Sequence, residues 1–359
     1  MAKISIDPDI RKAQTLPAAF YREKAWFDLT RDKIFRHFWH YVADTTAIET
    51  PQSLYPFTLL PGVLDEPLVL SKDIAGQGYC LSNVCTHRGK ILVEAPANRR
   101  LISCNYHGRC FNLDGTFKSM PEFAGVENFP SARDHLAQIP MEEWLGMYFV
   151  SPNPTQTFGD MMAPIMERVG WMPLHTLRFD PESSRDFLVQ SNWALYCDNY
   201  LEGFHIPFVH PALNQAIVFD QYEYHLFSHG NLQVGEAKAG EPSFDIPEGY
   251  PDFGRNIYAY YFWVFPNLMF NFYPWGLSLN VVEPLNHKQT RVRFRTYVFE
   301  GTAFAREKNS IDETELEDEA VVESVQQGIQ SDFYDRGRYS PSMEQGVHHF
   351  HRLLSEYLN

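Results

Sequence analysis

VCTHRGKILVEAPANRRLISCNYHGRCF, residues 84–111, carries two short loops of matching chemistry, Cys85-Thr86-His87 and Cys104-Asn105-Tyr106-His107, with sixteen residues between His87 and Cys104. Two thiolates and two imidazoles suit either a tetrahedral zinc or a two-iron cluster in which histidines replace two of the four cysteines. Zinc fingers usually gather like ligands, two cysteines in one hairpin and two histidines in the other. Here each loop mixes one of each. A cluster with one Cys-bound and one His-bound iron needs that arrangement, because both loops must then reach both irons. Gly89 and Gly108 allow the backbone to approach the sulfurs and donate hydrogen bonds to them. Cys80 and Cys110 lie close by in sequence and read as small buried apolar residues.

Outward from these loops, FTLLPGVLDEPLVLSKD (57–73), GYCLS (78–82) and WLGMYFVSP (144–152) are short apolar runs broken by Pro, Gly, Asn and Asp. That pattern predicts a small antiparallel β domain, and Asp114-Gly115 supplies a hairpin turn signal. SPNPTQTF, residues 151–158, reads as a boundary. On the amino-terminal side, residues 9–49 read as helical, with Phe20, Trp26, Phe27, Ile34, Phe35 and Trp39 marking one face at three and four residue spacing. Beyond the boundary, RDFLVQSNWALYCDNYLEGFH (185–205) runs from strand into helix. NIYAYYFWVFPNLMFNFYPWGLSLNVVEPLN (256–286) and TRVRFRTYVFE (290–300) predict long strands, and DETELEDEAVVESVQQGIQ (312–330) a helix. The expected architecture is α+β: an N-terminal helical segment 1–45, an antiparallel β domain 46–155, and a larger α+β domain 156–359 into which the β domain is inserted.

A second constellation sits in DNYLEGFHIPFVH, residues 198–210, where Glu202, His205 and His210 interrupt a run of large apolar side chains. Glu202 and His205 share a helical face, as does Asp198 one turn earlier. On a regular helix His210 would point away from His205 by about 140°, so Pro207 is expected to break the helix and let the two imidazoles converge. A carboxylate in such a setting is costly unless paired or metal-bound. Two histidines and one carboxylate on one side of a metal make the non-heme Fe(II) triad. Glu202 is the local candidate for that carboxylate, and Asp318 is the distant one. On a helical wheel, Val321, Val322, Val325 and Ile329 fall within about 60° of Asp318, while Glu317, Glu319 and Glu323 fall about 100° or more away and read as solvated.

Composition narrows the function. The chain has 359 residues, 44% of them hydrophobic, 15% aromatic and 21% charged, and its formal charge is −15. Such a charge repels nucleic acid and anionic membranes, and suits small molecules. The first residues lack the apolar stretch of a signal peptide and no apolar run of about 20 residues occurs, so a soluble, cytoplasmic protein is expected. Five cysteines, an odd number, in a chain of this size imply reduced or metal-bound thiols.

Together, CTHRG, CNYHGRCF, NYLEGFHIPFVH and the carboxylate helix resemble the terminal oxygenase α subunit of the Rieske non-heme iron, or ring-hydroxylating, oxygenases, over nearly the whole chain. The resemblance implies a Rieske [2Fe-2S] cluster on Cys85, His87, Cys104 and His107. It also implies a mononuclear Fe(II) on His205, His210 and Asp318, and a helix-grip (START-like) catalytic domain with an apolar cavity. Members form head-to-tail trimers in which a carboxylate bridges a cluster histidine of one subunit to an iron-ligand histidine of the next. By position that carboxylate is Glu202, between His107 of the adjacent subunit and His205, and Asn199 is a candidate wall residue of the iron site. No dinucleotide-binding GxGxxG follows a predicted strand, so electrons are expected from a separate NAD(P)H-dependent reductase or ferredoxin. Ring-hydroxylating dioxygenases commonly carry Asp at the bridge. Glu there, with the tail GRYSPSMEQGVHHFHRLL, is similar to the choline monooxygenase and carnitine oxygenase branch. Aromatics of 258–275 (Tyr258, Tyr260, Phe262, Trp263, Phe270, Phe272, Tyr273 and Trp275) are candidates for a cation-π box or for plain strand core. The expected activity is therefore O₂-dependent hydroxylation or demethylation of a small substrate, with a quaternary ammonium compound favoured. Dihydroxylation of an aromatic ring, and a Rieske electron carrier with a ligand-binding domain, stand as alternatives.

Overall fold

The computed structural model describes residues 3–302 and 311–359. The chain forms two compact units, Arg36–Thr155 and the remainder, residues up to Phe35 together with Gln156–Asn359. No helix among the described residues is long and apolar enough to cross a membrane.

The N-terminal segment holds two short helices, α1 (Ala18–Arg22) and α2 (Lys24–Thr30), and a wider π-type turn over Arg31–Phe35. The helical reading of 9–49 fails on both sides of these pieces, since residues 9–17 form turns and irregular backbone with Gln14 bridged to Arg338. His40–Asp44 is a strand, β1, in the Arg36–Thr155 unit. Its aromatic and β-branched run, Tyr41-Val42, is better suited to a pleated, half-buried surface than to a helix.

The Arg36–Thr155 unit is antiparallel throughout. Its remaining strands are β2 (Ser53–Leu59), β3 (Glu66–Lys72), β4 (Gly78–Ser82), β5 (Ala97–Asn98), β6 (Ile102–Ser103), β7 (Cys110–Phe111), β8 (Phe117–Ser119), β9 (Gln138–Ile139), β10 (Met141–Trp144) and β11 (Met147–Val150). They make sheets in the orders β5-β2-β3-β4-β9, β1-β11-β10 and β6-β7-β8. Asp114-Gly115 turns β7 into β8, with Gly115 at φ 85°. The core includes Leu54, Val69, Leu81, Ile102 and Phe111, and both Cys85 and Cys104 are buried in it. Arg109 is 2% exposed, bonded to Asp134 at 2.6 Å and seated over Phe117 at 5.0 Å, so its charge is paired and its stem packs on apolar surface.

The larger unit is built on one seven-stranded antiparallel sheet. Its strands are β12 (Leu177–Val189), β13 (Glu223–Phe227), β14 (Gly230–Glu236), β15 (Ile257–Val264), β16 (Leu268–Tyr273), β17 (Gly276–Asn286) and β18 (Gln289–Phe299), in the order β12-β18-β17-β16-β15-β14-β13. In β18, Arg291, Arg293 and Arg295 alternate with the buried Val292 and Phe294, the period of two expected of a strand with one buried face. Next to it, β17 is buried along most of its length, and its Glu283 binds both Arg291 at 2.6 Å and Arg293 at 2.7 Å. The helices are α3 (Phe158–Val169), α4 (Trp193–Tyr200), the single turn α5 (Ile206–Val209), α6 (Pro211–Ala216), α7 (Ile311–Gly328) and α8 (Gln345–Leu358). Asn192 caps α4 by accepting from the Ala194 N–H at 3.0 Å.

Candidate metal centres

The two loops of the smaller unit are copies of one backbone. In the first, the Cys85 N–H donates to Lys90 O at 2.8 Å and Cys85 O accepts from the Gly89 N–H at 2.9 Å. In the second, the Cys104 N–H donates to Arg109 O at 2.8 Å and Cys104 O accepts from the Gly108 N–H at 3.0 Å. Both glycines are left-handed, at φ 72° and 75°, a conformation that costs other residues about 1–2 kcal/mol. The Cys85 and Cys104 thiols lie within reach of each other, and the N–H groups of His87 and Arg88 point at the Cys85 sulfur. Burial, the largest influence on Cys85, pushes its thiol up, while those N–H groups pull it down. The imidazoles of His87 and His107 stand edge to face, 4.8 Å apart. His107 Nδ1 is buried without a hydrogen-bond partner, a costly state that an iron would relieve. The predicted ligands therefore come together as a thiol pair, Cys85 with Cys104, and an imidazole pair, His87 with His107, and their chemistry fits a cluster with one Cys-bound and one His-bound iron.

In the larger unit, convergence of the histidines has a different cause from the one expected. Helix α4 ends at Tyr200, before Glu202. Pro207 sits in the first turn of α5, where proline is tolerated, instead of breaking a longer helix. His205 and His210 flank this single turn, one at each end. The Glu202 carboxylate caps it, accepting the His205 N–H at 3.1 Å and the Phe204 N–H, while its other oxygen lies 2.6 Å from His205 Nδ1. The two Nε2 atoms are 3.1 Å apart, and Asp318 Oδ1 stands 3.0 Å from that of His210 and 3.5 Å from that of His205. Metal–nitrogen bonds of about 2.1 Å, set at right angles on one face of an octahedron, put neighbouring donors about 3 Å apart. The triad matches that face, and its donor chemistry is that of a non-heme Fe(II) site. His205, His210 and Asp318 are also the one such cluster of His, Cys, Asp and Glu found among the described residues. Glu202 is thus an imidazole partner at this site, not part of the triad.

Asp318 is delivered by the inner face of α7, which runs through the buried Glu315, Val322 and Gln326, with Ile329 buried just past the helix end. Val325, expected near the centre of that face, is 42% exposed. The shift follows from polar anchors that hydrophobic patterning does not see. Glu315 accepts from the Tyr196 hydroxyl at 2.5 Å, Glu323 from the Gln190 N–H at 2.7 Å and Gln326 from the Asn192 N–H at 2.7 Å. These bonds fix the register of α7 against β12 and α4. Glu317 is only partly exposed and is engaged as well: it lies 2.7 Å from His210 Nδ1. Burial opposes the charged form of His210, but the Asp318 and Glu317 carboxylates outweigh it and raise the imidazole above its ordinary value.

A cavity of about 480 Å³ opens beside the triad, with Asn199 in its wall. Of the aromatics singled out in the sequence, Tyr258, Tyr273 and Trp275 line it, whereas Tyr260, Phe262, Trp263, Phe270 and Phe272 are core. Tyr222 and Tyr261 line it too. An irregularity where Gly235/Glu236 face Ala259/Ile257 leaves Tyr258 unpaired, and such an extra residue re-aims a side chain. Alternation along the strand therefore could not place it.

A Rieske-type cluster fold joined to a unit with a two-histidine, one-aspartate iron triad defines a Rieske non-heme iron oxygenase. The Rieske [2Fe-2S] domain family matches residues 37–130, and the ring hydroxylating alpha subunit (catalytic domain) family matches 166–359. The chain belongs to this ring-hydroxylating α-subunit family, and its cofactors are a Rieske [2Fe-2S] cluster and a mononuclear iron. It is 28% identical to choline monooxygenase of Arabidopsis thaliana, over 97% of this chain and 84% of that one. To the carnitine monooxygenase oxygenase subunit of Escherichia coli it is 27% identical, over 96% and 94%. Among solved structures it shares its fold with a quaternary ammonium Rieske monooxygenase, at TM-score 0.81, 23% identity and full coverage of both chains. It also shares it with a naphthalene 1,2-dioxygenase, at TM-score 0.76, 17% identity and 99% and 94% coverage.

Proposed function

We propose that this terminal oxygenase acts on a small cation carrying a quaternary ammonium group, with His205, His210 and Asp318 as its iron ligands and Cys85, His87, Cys104 and His107 as its cluster ligands. The observation that carries the substrate reading is the cavity wall. Tyr261 meets Tyr273 at 5.9 Å and 82°, Tyr258 meets it at 6.3 Å and 88°, and Tyr273 stacks on Trp275 at 5.1 Å. Rings at right angles form the corner of a cage that attracts a methylated ammonium without needing a hydrogen bond from it. Glu202, Glu241, Glu315 and Asp318 add negative charge, and no Lys or Arg occurs among the described lining residues. That wall favours a cation over an aromatic acid, and a choline-type cation over a zwitterion. The choline and carnitine monooxygenases among the relatives support the same class.

Bound at these sites, the cluster supplies single electrons and the iron activates O₂. The chain's own residues hold and orient. Glu202 keeps the His205 ring by its Nδ1, and its place beside an exposed aromatic pair, Phe204 (44% exposed) and Phe208 (79%), supports the bridging role. Tyr106, 56% exposed, lies against His107 at 3.8 Å with the two rings tilted by 34°. Exposed rings thus stand beside both sites, in keeping with a homotrimer in which the cluster of one subunit serves the iron of the next. A separate NAD(P)H-dependent reductase or ferredoxin delivers the electrons. Turnover with a surrogate reductase, comparing choline-type cations with aromatic acids, tests the substrate reading. Oxygenated product from the cation is expected, and a ring diol as the sole product would overturn it.

A further inference from the structure

We propose that Glu317 is a positioning residue for the mononuclear iron: it holds the His210 imidazole by its Nδ1–H, so that Nε2 is presented unprotonated to the metal. The inference rests on the reading of His205, His210 and Asp318 as iron ligands. His210 is bracketed by two consecutive carboxylates of α7, Asp318 Oδ1 at 3.0 Å from Nε2 and Glu317 Oε2 at 2.7 Å from Nδ1. Consecutive side chains leave a helix about 100° apart, which is how neighbours in sequence reach opposite nitrogens of one ring. A neutral imidazole carries a single N–H. A carboxylate can only accept, so Glu317 fixes that hydrogen on Nδ1 and leaves the Nε2 lone pair for a metal.

The environment makes this contact matter. The His210 side chain is 2% exposed, so water is a poor substitute for a lost acceptor, and Glu317 supplies the one contact seen at Nδ1. Glu202 performs the matching task for His205. The two carboxylates differ in mounting, however. Glu202 is clamped by the N–H groups of its own loop, whereas Glu317 comes from a helix 107 residues away. A division of labour follows: both orient a ligand, and only Glu202 lies on the proposed electron route.

The test compares the holoenzyme with Glu317→Ala, Glu317→Gln and, as a control on the exposed side of α7, Glu313→Ala. Iron affinity at the mononuclear site is read by competition with a chelator, the cluster by its EPR signal, and ligand geometry by the EPR of the ferrous–nitric oxide adduct. Glu317→Ala should bind iron about 10- to 100-fold more weakly, with an altered nitrosyl signal and an unchanged cluster signal. Glu317→Gln keeps an amide oxygen that can accept from Nδ1–H, and should recover most of the affinity and the parental signal. Glu313→Ala should match the parent. Parental affinity and signal in Glu317→Ala would overturn the inference, as would a Gln variant no better than Ala. If the parent itself holds no mononuclear iron, the ligand reading fails instead, so the two failures are distinguishable.

Discussion

Asp318 Oδ1 stands 3.0 Å from His210 Nε2, across 108 residues of chain. The histidine sits at the end of a single turn, and the carboxylate on a helix whose register is set by Glu315, Glu323 and Gln326. The iron triad therefore depends on polar anchors as much as on its three ligands.

Glu202→Gln should leave cluster and iron bound and slow electron delivery between them. The expected loss is about 10- to 100-fold in the rate at which a reduced cluster is reoxidised in a single turnover with substrate and O₂. An unchanged rate would remove the bridging role while leaving the ligand assignment intact.

The ligand loops differ in how they tolerate a side chain. Gly89 and Gly108 are both left-handed, but a Cβ on Gly89 would meet nothing within 4 Å, while one on Gly108 would lie 3.1 Å from Pro121 Cγ. Gly89→Ala should cost about 1–2 kcal/mol of stability from backbone strain and keep its cluster. Gly108→Ala should cost more and be purified with less cluster, as read by chemical unfolding and visible absorbance. Equal behaviour would show that Pro121 yields freely.

In the cavity, Tyr273→Leu or Trp275→Leu should raise KM for a quaternary ammonium substrate by roughly 2- to 30-fold, the equivalent of about 0.5–2 kcal/mol of cation-π attraction. Binding of a neutral analogue with a tert-butyl group in place of trimethylammonium should change little. Equal losses for both would point to shape alone.

Much of this was legible in the sequence. The paired Cys/His loops, the hairpin at Asp114-Gly115 and the long strands of 256–300 rest on local spacing, and local spacing survives folding. The inward placement of Asp318 was legible for the same reason. What was not legible depended on partners distant in the chain. His40–Asp44 is strand because Met147–Val150 pairs with it. Glu317 and Glu323 read as solvated because their acceptor roles toward His210 and the Gln190 N–H exist only after folding. Pro207 breaks no helix, because α4 has already ended at Tyr200 and the proline falls in the first turn of α5.

Iron and sulfide counts on the holoenzyme and on Asp318→Ala, with EPR of the reduced protein, test the central claim most directly. The parent should hold one iron beyond the two of its cluster. Asp318→Ala should lose that iron alone and keep the Rieske signal. A parent with only the two cluster irons, or an Asp318→Ala variant that retains the additional one, would contradict the account.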